Sequence, residues 1–228
     1  MIPPMIIAID GPAGAGKGTL ATAIAKNFSL AYLDTGALYR AVGFTAIERG
    51  IRPDDTALAT SLAAHLRLEF RQVGFTFRTF INGKPAGDEL RSQEVGEAAS
   101  VVSSLPEVRR ALHGFQLDFI RKHRQRRGAV LDGRDIGTVI CPEAEVKIFL
   151  NASAEARAAR RFKQVCPKGN QADFGRILAE IERRDHRDSN RATAPLMPAD
   201  DAEVIETSLI KADAVYDIAR ALILKAAA

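Results

Sequence analysis

The chain has 228 residues; 46% are apolar and 26% are charged, so it can bury a hydrophobic core and is not disordered. Its length predicts one domain with an insertion or a small satellite unit. Lys and Arg number 32 against 28 for Asp and Glu, a formal net charge of +4. Such a balance is compatible with nucleic acid, a membrane surface or small phosphorylated ligands as partners. The location of the positive charge therefore matters more than its amount.

Several classes of protein are excluded by local features. The first ten residues lack a basic segment, and their short apolar run ends at Asp10, so we expect no secretory signal peptide. No stretch approaches the roughly 18 apolar residues of a membrane span. The two cysteines, Cys141 and Cys166, make neither a disulfide framework nor a four-ligand zinc site. We expect a cytoplasmic protein in a thiol-reducing setting, with no membrane partner.

Short buried strands alternate with amphipathic helices along most of the chain. The β-branched run 6–9 leads into a glycine-rich loop, and apolar residues then recur with helical spacing from Ala21 to Phe28. Further strands are predicted at 31–33, 129–131, 146–150 and 203–205, and further helices at 36–49, 92–103, 106–123, 153–164, 173–188 and 211–225. This alternation predicts an α/β fold, with a parallel sheet flanked by helices on both faces.

One segment interrupts this rhythm. Residues 66–71 and 75–80 alternate apolar and polar side chains on either side of Gly74. Period-two alternation around a glycine turn predicts an antiparallel hairpin with one face in water. We interpret it as an insertion into the α/β core.

The glycine-rich loop has the spacing Gly-x4-Gly-Lys and comprises Gly11, Pro12, Ala13, Gly14, Ala15, Gly16, Lys17, Gly18 and Thr19. Glycines allow such a loop to direct backbone N–H groups at phosphates, and the lysine adds a mobile positive charge. A chance glycine-rich turn is the alternative, but the position between a buried strand and an amphipathic helix favours a nucleotide-phosphate site. The strict pattern has Ser or Thr directly after the lysine. Because Gly18 intervenes, Thr19 is the weaker candidate for holding Mg²⁺.

A carboxylate follows the predicted strand 129–131. Asp132 lies where a parallel sheet presents ligand-binding groups, and it could organise Mg²⁺ and its waters. A single Asp at a strand end is often only a turn or cap residue. The run Asp132-Gly133-Arg134-Asp135 favours the functional interpretation.

Arginines are concentrated in the last third of the chain. Arg184, Arg187, Asp188 and Arg191 share one helix face, and Arg157, Arg160 and Arg161 form a second group. Arginine grips phosphate oxygens in pairs, although a solvated face of ion pairs would show the same pattern. The basic run 121–127 lacks interleaved aromatics and is interpreted as surface at a helix C-terminus rather than as a nucleic-acid site.

These motifs together resemble the bacterial cytidylate kinases. The resemblance rests on the Lys-Gly-Thr phosphate loop and on the segments 34–40, 132–138 and 184–191, which occur in the family's order over nearly the whole chain. It implies a single P-loop kinase domain (1–228) with a central parallel sheet flanked by helices. It also implies an inserted nucleoside-monophosphate-binding subdomain at 36–110 with a small antiparallel sheet, and a lid at roughly 157–191.

The resemblance implies a role for each matching residue. Arg40, Arg134 and Arg191 would hold the acceptor's phosphate, and Arg184 and Asp188 its ribose. Ser100, Arg109 and Asp135 would read cytosine, while Arg160 and Arg161 would close over the donor phosphates. Thr35, where some members have Ser, Tyr39 and Asp132 complete the CMP-binding set. The catalytic set would be Lys17, Asp132, Arg134, Arg184 and Arg191.

The implied reaction is transfer of the γ-phosphoryl group of ATP to CMP or dCMP, with Mg²⁺ held mostly by phosphates and water. We expect a monomer with no nucleic-acid partner. Asp135 can accept a hydrogen bond from the cytosine amino group, whereas uracil presents an oxygen there, so CMP should be preferred to UMP. A P-loop kinase with another acceptor remains an alternative. A nucleotide-dependent nucleic-acid-binding protein is another, although the Asn-Lys-x-Asp motif of GTPases is absent from the sequence.

Overall fold

The computed structural model describes residues 2–73, 76–165 and 173–228. The strands are β1 (Ile6–Asp10), β2 (Ala31–Asp34), β3 (Leu68–Val73), β4 (Thr76–Ile81), β5 (Lys84–Pro85), β6 (Ala129–Asp132), β7 (Val146–Asn151) and β8 (Glu203–Glu206). The helices are α1 (Lys17–Asn27), α2 (Thr35–Glu48), α3 (Thr56–His65), α4 (Gln93–Val102), α5 (Pro106–Arg124), α6 (Ala154–Val165), α7 (Phe174–Asn190) and α8 (Ala212–Ala226). A 3₁₀ turn spans Asp88–Arg91 and a π-helical turn spans Ile136–Ile140.

Five strands form the central sheet in the order β2-β6-β1-β7-β8, and every neighbouring pair is parallel. This confirms the predicted parallel α/β core. The register pairs Asp34 with Asp132 and Ile9 with Asp132, so the acidic strand ends meet at one edge of the sheet. Since ligands of such sheets bind beyond the carboxyl ends of the strands, this edge carries the candidate site.

Apolar layers cover both faces of this sheet because successive strand residues point to opposite sides. On one face, Ile7 and Ile9 pack in a cluster with side chains of α1 and α8 such as Ile24 and Ile223. On the other face, Ile6 and Ala8 belong to a cluster that includes residues of α5 and the π-helical turn. The predicted helix layers on both faces are thus confirmed.

The chain between β2 and β6 forms a third apolar cluster and has its own three-stranded antiparallel sheet, ordered β3-β4-β5. The predicted hairpin is confirmed, but its first strand covers 68–73 rather than 66–71, because Leu66 ends α3. Its predicted turn residue, Gly74, lies outside the described residues, as does the predicted helix end near 166–169. Helix α5 contributes to this cluster and also to the cluster on the sheet face of Ile6 and Ala8, so the insert boundary of 36–110 stays a prediction.

Among residues 2–73, 76–165 and 173–228, no helix combines the length and the hydropathy that a membrane crossing requires.

Candidate functional site

The phosphate loop joins β1 to the first turn of α1. Gly11, Gly14 and Gly16 adopt φ of 142°, 81° and 101°, values that other residues rarely take. A Cβ at Gly11 would lie 2.1 Å from the carbonyl oxygen of Leu150, so glycine is also required there for space. The loop therefore folds tightly around the N-terminus of α1, where the helix dipole favours an anion.

Lys17 is buried at the start of α1, and its Nζ donates to the Pro12 carbonyl oxygen at 2.8 Å. Burial lowers the pKa of Lys17, and the positive charges of Arg134 and Arg184 lower it further. Those arginines come from the segments at 132–138 and 184–191, so the predicted donor and acceptor residues share one electrostatic site. A bound phosphate chain would reverse this shift by supplying negative charge.

Asp132, at the end of β6, faces the phosphate loop. Its carboxylate lies 3.5 Å from where a Cβ of Gly18 would stand, and Tyr32 Oη donates to its Oδ1 at 3.3 Å. Thr35 Oγ1 donates to its carbonyl oxygen at 2.8 Å. Burial raises the pKa of Asp132 to about 8, with the negative charge of Asp34 adding to the effect.

The residues predicted to bind the acceptor nucleotide form a cluster, called here the acceptor cluster, and Asp188 is the centre of one part of it. Arg134 Nε donates to its Oδ2 at 3.1 Å, Arg184 Nε lies 3.8 Å from the same atom, and Ser100 Oγ donates to its Oδ1 at 3.5 Å. Burial alone would raise the pKa of Asp188, but the charges of Arg134 and Arg184 lower it overall. The carboxylate is thus kept ionised and able to accept from hydroxyl groups.

Asp135 is the centre of the other part. Arg109 donates through Nη2 to Asp135 Oδ2, and Arg191 Nη2 lies 3.6 Å from Asp135 Oδ1. The Arg109 guanidinium lies 5.6 Å from the centre of the Tyr39 ring, whose pKa burial raises. Oδ2 thus accepts a hydrogen bond from Arg109, whereas the contact of Oδ1 with Arg191 is longer than a hydrogen bond.

Positive charge exceeds negative charge in this cluster. Arg40 and Arg184 converge on Gly96, with their Nη1 atoms 3.4 and 3.8 Å from where its Cβ would stand. Burial lowers the pKa of Arg184 to about 10, with Arg134 adding to the effect. Arg184 Nε and Arg191 Nη2 are buried without a hydrogen-bond partner in the described part of the chain. Such donors require an anion or water, which fits a phosphorylated ligand.

The remaining predicted residues are Arg160, Arg161 and Thr19. Arg160 donates from Nη1 to the Gly14 carbonyl oxygen at 3.4 Å and also binds Thr207, so it touches the phosphate loop. Arg161 is half-buried, and its charge contributes to lowering the pKa of Arg40, for which burial is the larger cause. Thr19 is exposed in the first turn of α1. Its part in holding Mg²⁺ stays a prediction.

Sequence reasoning missed Asp10 and Thr207, and it grouped Arg157 with other arginines without giving it a role in the site. Asp10 accepts from the backbone N–H groups of Ile136 and Gly137 at 2.9 and 2.8 Å and so fixes the turn after Asp135. Arg157 and Thr207 bind carbonyl oxygens of the phosphate loop. Asp10 could have been found, because it ends a buried strand next to the loop as Asp132 does.

The residues present fit a magnesium ion carried by a nucleotide. No group of three or more His, Cys, Asp or Glu side chains able to hold a metal occurs in the part of the chain that the structure describes. The carboxylate of Asp132 is buried and faces Gly18 of the phosphate loop, and Mg²⁺ characteristically uses one or two carboxylates together with phosphates and waters.

The sheet order, the phosphate loop on β1 and the buried arginines define a kinase of the P-loop class. The family model for cytidylate kinase matches residues 7–225, and the chain belongs to that family. A cytidylate kinase of Paramagnetospirillum magneticum is 48% identical over 96% of this chain and 97% of its own length. A cytidylate kinase of Pasteurella multocida is 44% identical over 96% and 93%. A gluconokinase from Sinorhizobium meliloti shares the fold, with 12% identity, a TM-score of 0.50 and coverage of 100% and 95%.

Proposed function

We propose that this protein transfers the γ-phosphoryl group of ATP to CMP or dCMP, giving ADP and CDP or dCDP. The observation that carries the proposal is the group of arginines around Asp188 and Asp135. Arg134 and Arg184 lower the pKa of Lys17 in the phosphate loop, and Arg184 Nε and Arg191 Nη2 are buried without a hydrogen-bond partner in the described part of the chain. Two phosphorylated ligands would meet between these groups. Membership of the cytidylate kinase family supports cytidine nucleotides as the acceptor.

On the donor side, residues 11–19 bind the ATP phosphates. Lys17 exchanges its bond to the Pro12 carbonyl for the β and γ phosphates, where its charge stabilises the transferring group. Arg160 and Arg161 on α6 add positive charge beside the loop. Mg²⁺, when bound with ATP, neutralises phosphate charge, and Asp132 and Thr19 are the residues that would hold it or its waters.

On the acceptor side, Arg40, Arg134 and Arg191 bind the CMP phosphate and place its oxygen in line with the γ phosphorus. Arg184 orients the ribose with Asp188, whose lowered pKa keeps it a hydrogen-bond acceptor. Ser100, Arg109 and Asp135 read the base beside Thr35 and Tyr39. No side-chain nucleophile is needed, because the acceptor phosphate is itself the nucleophile and catalysis is positioning plus charge stabilisation.

A coupled assay of ADP formation tests the proposal directly. ATP with Mg²⁺ is supplied with CMP, dCMP, UMP or AMP in turn, and a reaction without acceptor measures hydrolysis. We expect turnover with CMP and dCMP, slower turnover with UMP and little with AMP. Absence of turnover with both cytidine nucleotides would refute the proposal.

We further propose a cytoplasmic monomer that acts on free nucleotides and does not bind nucleic acid. Gel filtration with light scattering measures the oligomeric state. Titration with RNA and DNA at low salt tests the last point, since nonspecific binding would be strong there and would fall steeply as salt rises.

A further inference from the structure

Four consecutive carbonyl oxygens of the phosphate loop accept hydrogen bonds from side chains. Lys17 Nζ binds Pro12 O at 2.8 Å, and Arg157 Nη1 binds Ala13 O at 3.2 Å. Arg160 Nη1 binds Gly14 O at 3.4 Å, and Thr207 Oγ1 binds Ala15 O at 3.2 Å. A carbonyl oxygen that turned towards bound phosphates would repel them, so the bonds from Arg157, Arg160 and Thr207 favour the loop conformation in which the oxygens stay on the other side. The Lys17 bond to Pro12 differs from these three, because Lys17 releases it to bind the phosphates.

Arg157 is a buried arginine, with only 4% of its side chain exposed. Its Nε binds the Ala152 carbonyl oxygen at 2.9 Å, and its guanidinium grips Asp185 of α7 through Nη1 and Nη2 at 3.0 and 2.5 Å. Its aliphatic stem packs on the loop, with Cβ 3.3 Å from where a Cβ of Gly14 would stand. One side chain thus joins the phosphate loop, the chain before α6, and α7.

Neighbouring residues of helix α7 face the two predicted nucleotide sites. Asp185 pairs with Arg157 next to the phosphate loop, while Arg184 lies by Asp188 in the acceptor cluster. The Arg157–Asp185 pair therefore fixes the donor loop relative to the helix that carries acceptor groups. A shift of about 1 Å between reacting groups can cost a hundredfold in rate, so this link matters for alignment.

We propose that Arg157, held by Asp185, is a positioning residue that keeps the phosphate loop in its ATP-binding conformation. The inference rests on the proposed function for its kinetic consequence, but its effect on ATP binding is independent of the acceptor. Its described hydrogen bonds go to the carbonyl oxygens of Ala13 and Ala152 and to Asp185, so it acts on ATP through the loop. Lysine at 157 cannot replace it, because an ammonium lacks the planar fork that binds Asp185 and Ala13 together.

The test compares Arg157→Lys and Asp185→Asn with wild type, using Arg176→Lys as a matched control. Arg176 is an exposed arginine of α7, and its described ion pair is with Glu180, four residues along the same helix, at 3.0 Å. Calorimetry measures the Kd of ATP without acceptor, and the coupled assay measures KM and kcat for CMP. Thermal unfolding is recorded for every variant.

We expect Arg157→Lys and Asp185→Asn each to raise the Kd of ATP roughly tenfold and to lower kcat roughly tenfold, with less than about a threefold change in KM for CMP. A variant that combines Arg157→Lys and Asp185→Asn should have a Kd of ATP and a kcat close to those of either single variant, because the two side chains act as a unit. The control should match wild type.

Thermal destabilisation with the Kd of ATP and kcat within about twofold of wild type would overturn the proposal, since the pair would then be purely structural. Failure of both variants to unfold cooperatively would overturn it for the same reason. If wild type binds ATP but does not phosphorylate CMP, the proposed function fails, while the Kd of ATP in the variants still decides the role of Arg157.

Discussion

Replacing Asp135 with asparagine should relax the discrimination between CMP and UMP. The carboxylate is 5% exposed, its Oδ2 accepts from Arg109, and its Oδ1 lies 3.6 Å from Arg191 without a hydrogen bond of standard length. Oδ1 is thus available to accept from the amino group of cytosine. With UMP, the same oxygen would face a carbonyl oxygen, and neither could donate.

The size of the effect follows from that mismatch. A buried acceptor left facing another acceptor costs about 1–3 kcal/mol, which corresponds to roughly 5- to 150-fold in the ratio of kcat/KM for CMP over UMP. The amide of asparagine can present either its oxygen to cytosine or its NH₂ to uracil. We therefore expect the ratio to fall towards one in Asp135→Asn. The kcat/KM for CMP should also fall, because Arg109 and Arg191 lose their counter-charge.

The assay is ADP formation at several concentrations of CMP and UMP, read as the ratio of kcat/KM values. Asp118→Asn is the matched control, because Asp118 is exposed and pairs only with Arg121 three residues away on α5 among its described ion pairs. An unchanged CMP/UMP ratio in Asp135→Asn, together with lower activity on both, would refute base reading by Asp135.

Four further substitutions have defined outcomes. Lys17→Met should lower kcat by at least roughly a hundredfold in the coupled assay, and near-wild-type kcat would contradict the role of the loop. The free energy of unfolding in urea should stay unchanged or rise, because burial lowers the pKa of Lys17 and its charge is costly without phosphate. Burial raises the pKa of Asp10 from 3.8 to about 6, so its stabilising contribution is complete below pH 3.8 and is lost as pH rises through 6, by up to about 3 kcal/mol. Asp10→Asn should therefore lose more free energy of unfolding relative to wild type at pH 4.5 than at pH 7.5, and an equal difference at both would disprove that sign. Gly43→Ala should lower the free energy of unfolding by about 1–3 kcal/mol, because the added Cβ would lie 2.9 Å from Ala98 Cβ. Gly114→Ala on α5 should instead raise it by about 0.5–1 kcal/mol, because its added Cβ would meet no atom within 4 Å and alanine favours the helix.

The parts of the fold that depend on local pattern were predictable. The buried run of β1, the glycine spacing and the first helix are contiguous, so the phosphate loop needed no long-range information. Helix α3 was missed although Asp55 caps it by accepting from the Leu58 N–H, a signal present in the sequence. Omitting α3 also explains the two-residue error in β3, because Leu66 belongs to the helix end rather than to the strand.

Residues that act across the chain were harder to predict. Arg157 lies in a basic helix that resembles a solvated face, and only the structure shows it binding Ala13 and Asp185, which are 144 and 28 residues away. Thr207 is an ordinary hydroxyl until β8 brings it to Ala15, 192 residues away. Helical spacing shows which side chains share a face, but not what that face contacts.

The net charge of +4 hides a concentrated positive site. Burial lowers the pKa of Lys17, Arg40, Arg184 and Arg191, which means that the folded protein without ligand holds these cations at a cost. Nucleotide phosphates would remove that cost, so part of the binding free energy comes from charges that are already fixed in place. Charges that are already fixed in place need no reorganisation during phosphoryl transfer. The buried cations that are unfavourable on their own therefore stabilise the negative charge of the transferring group.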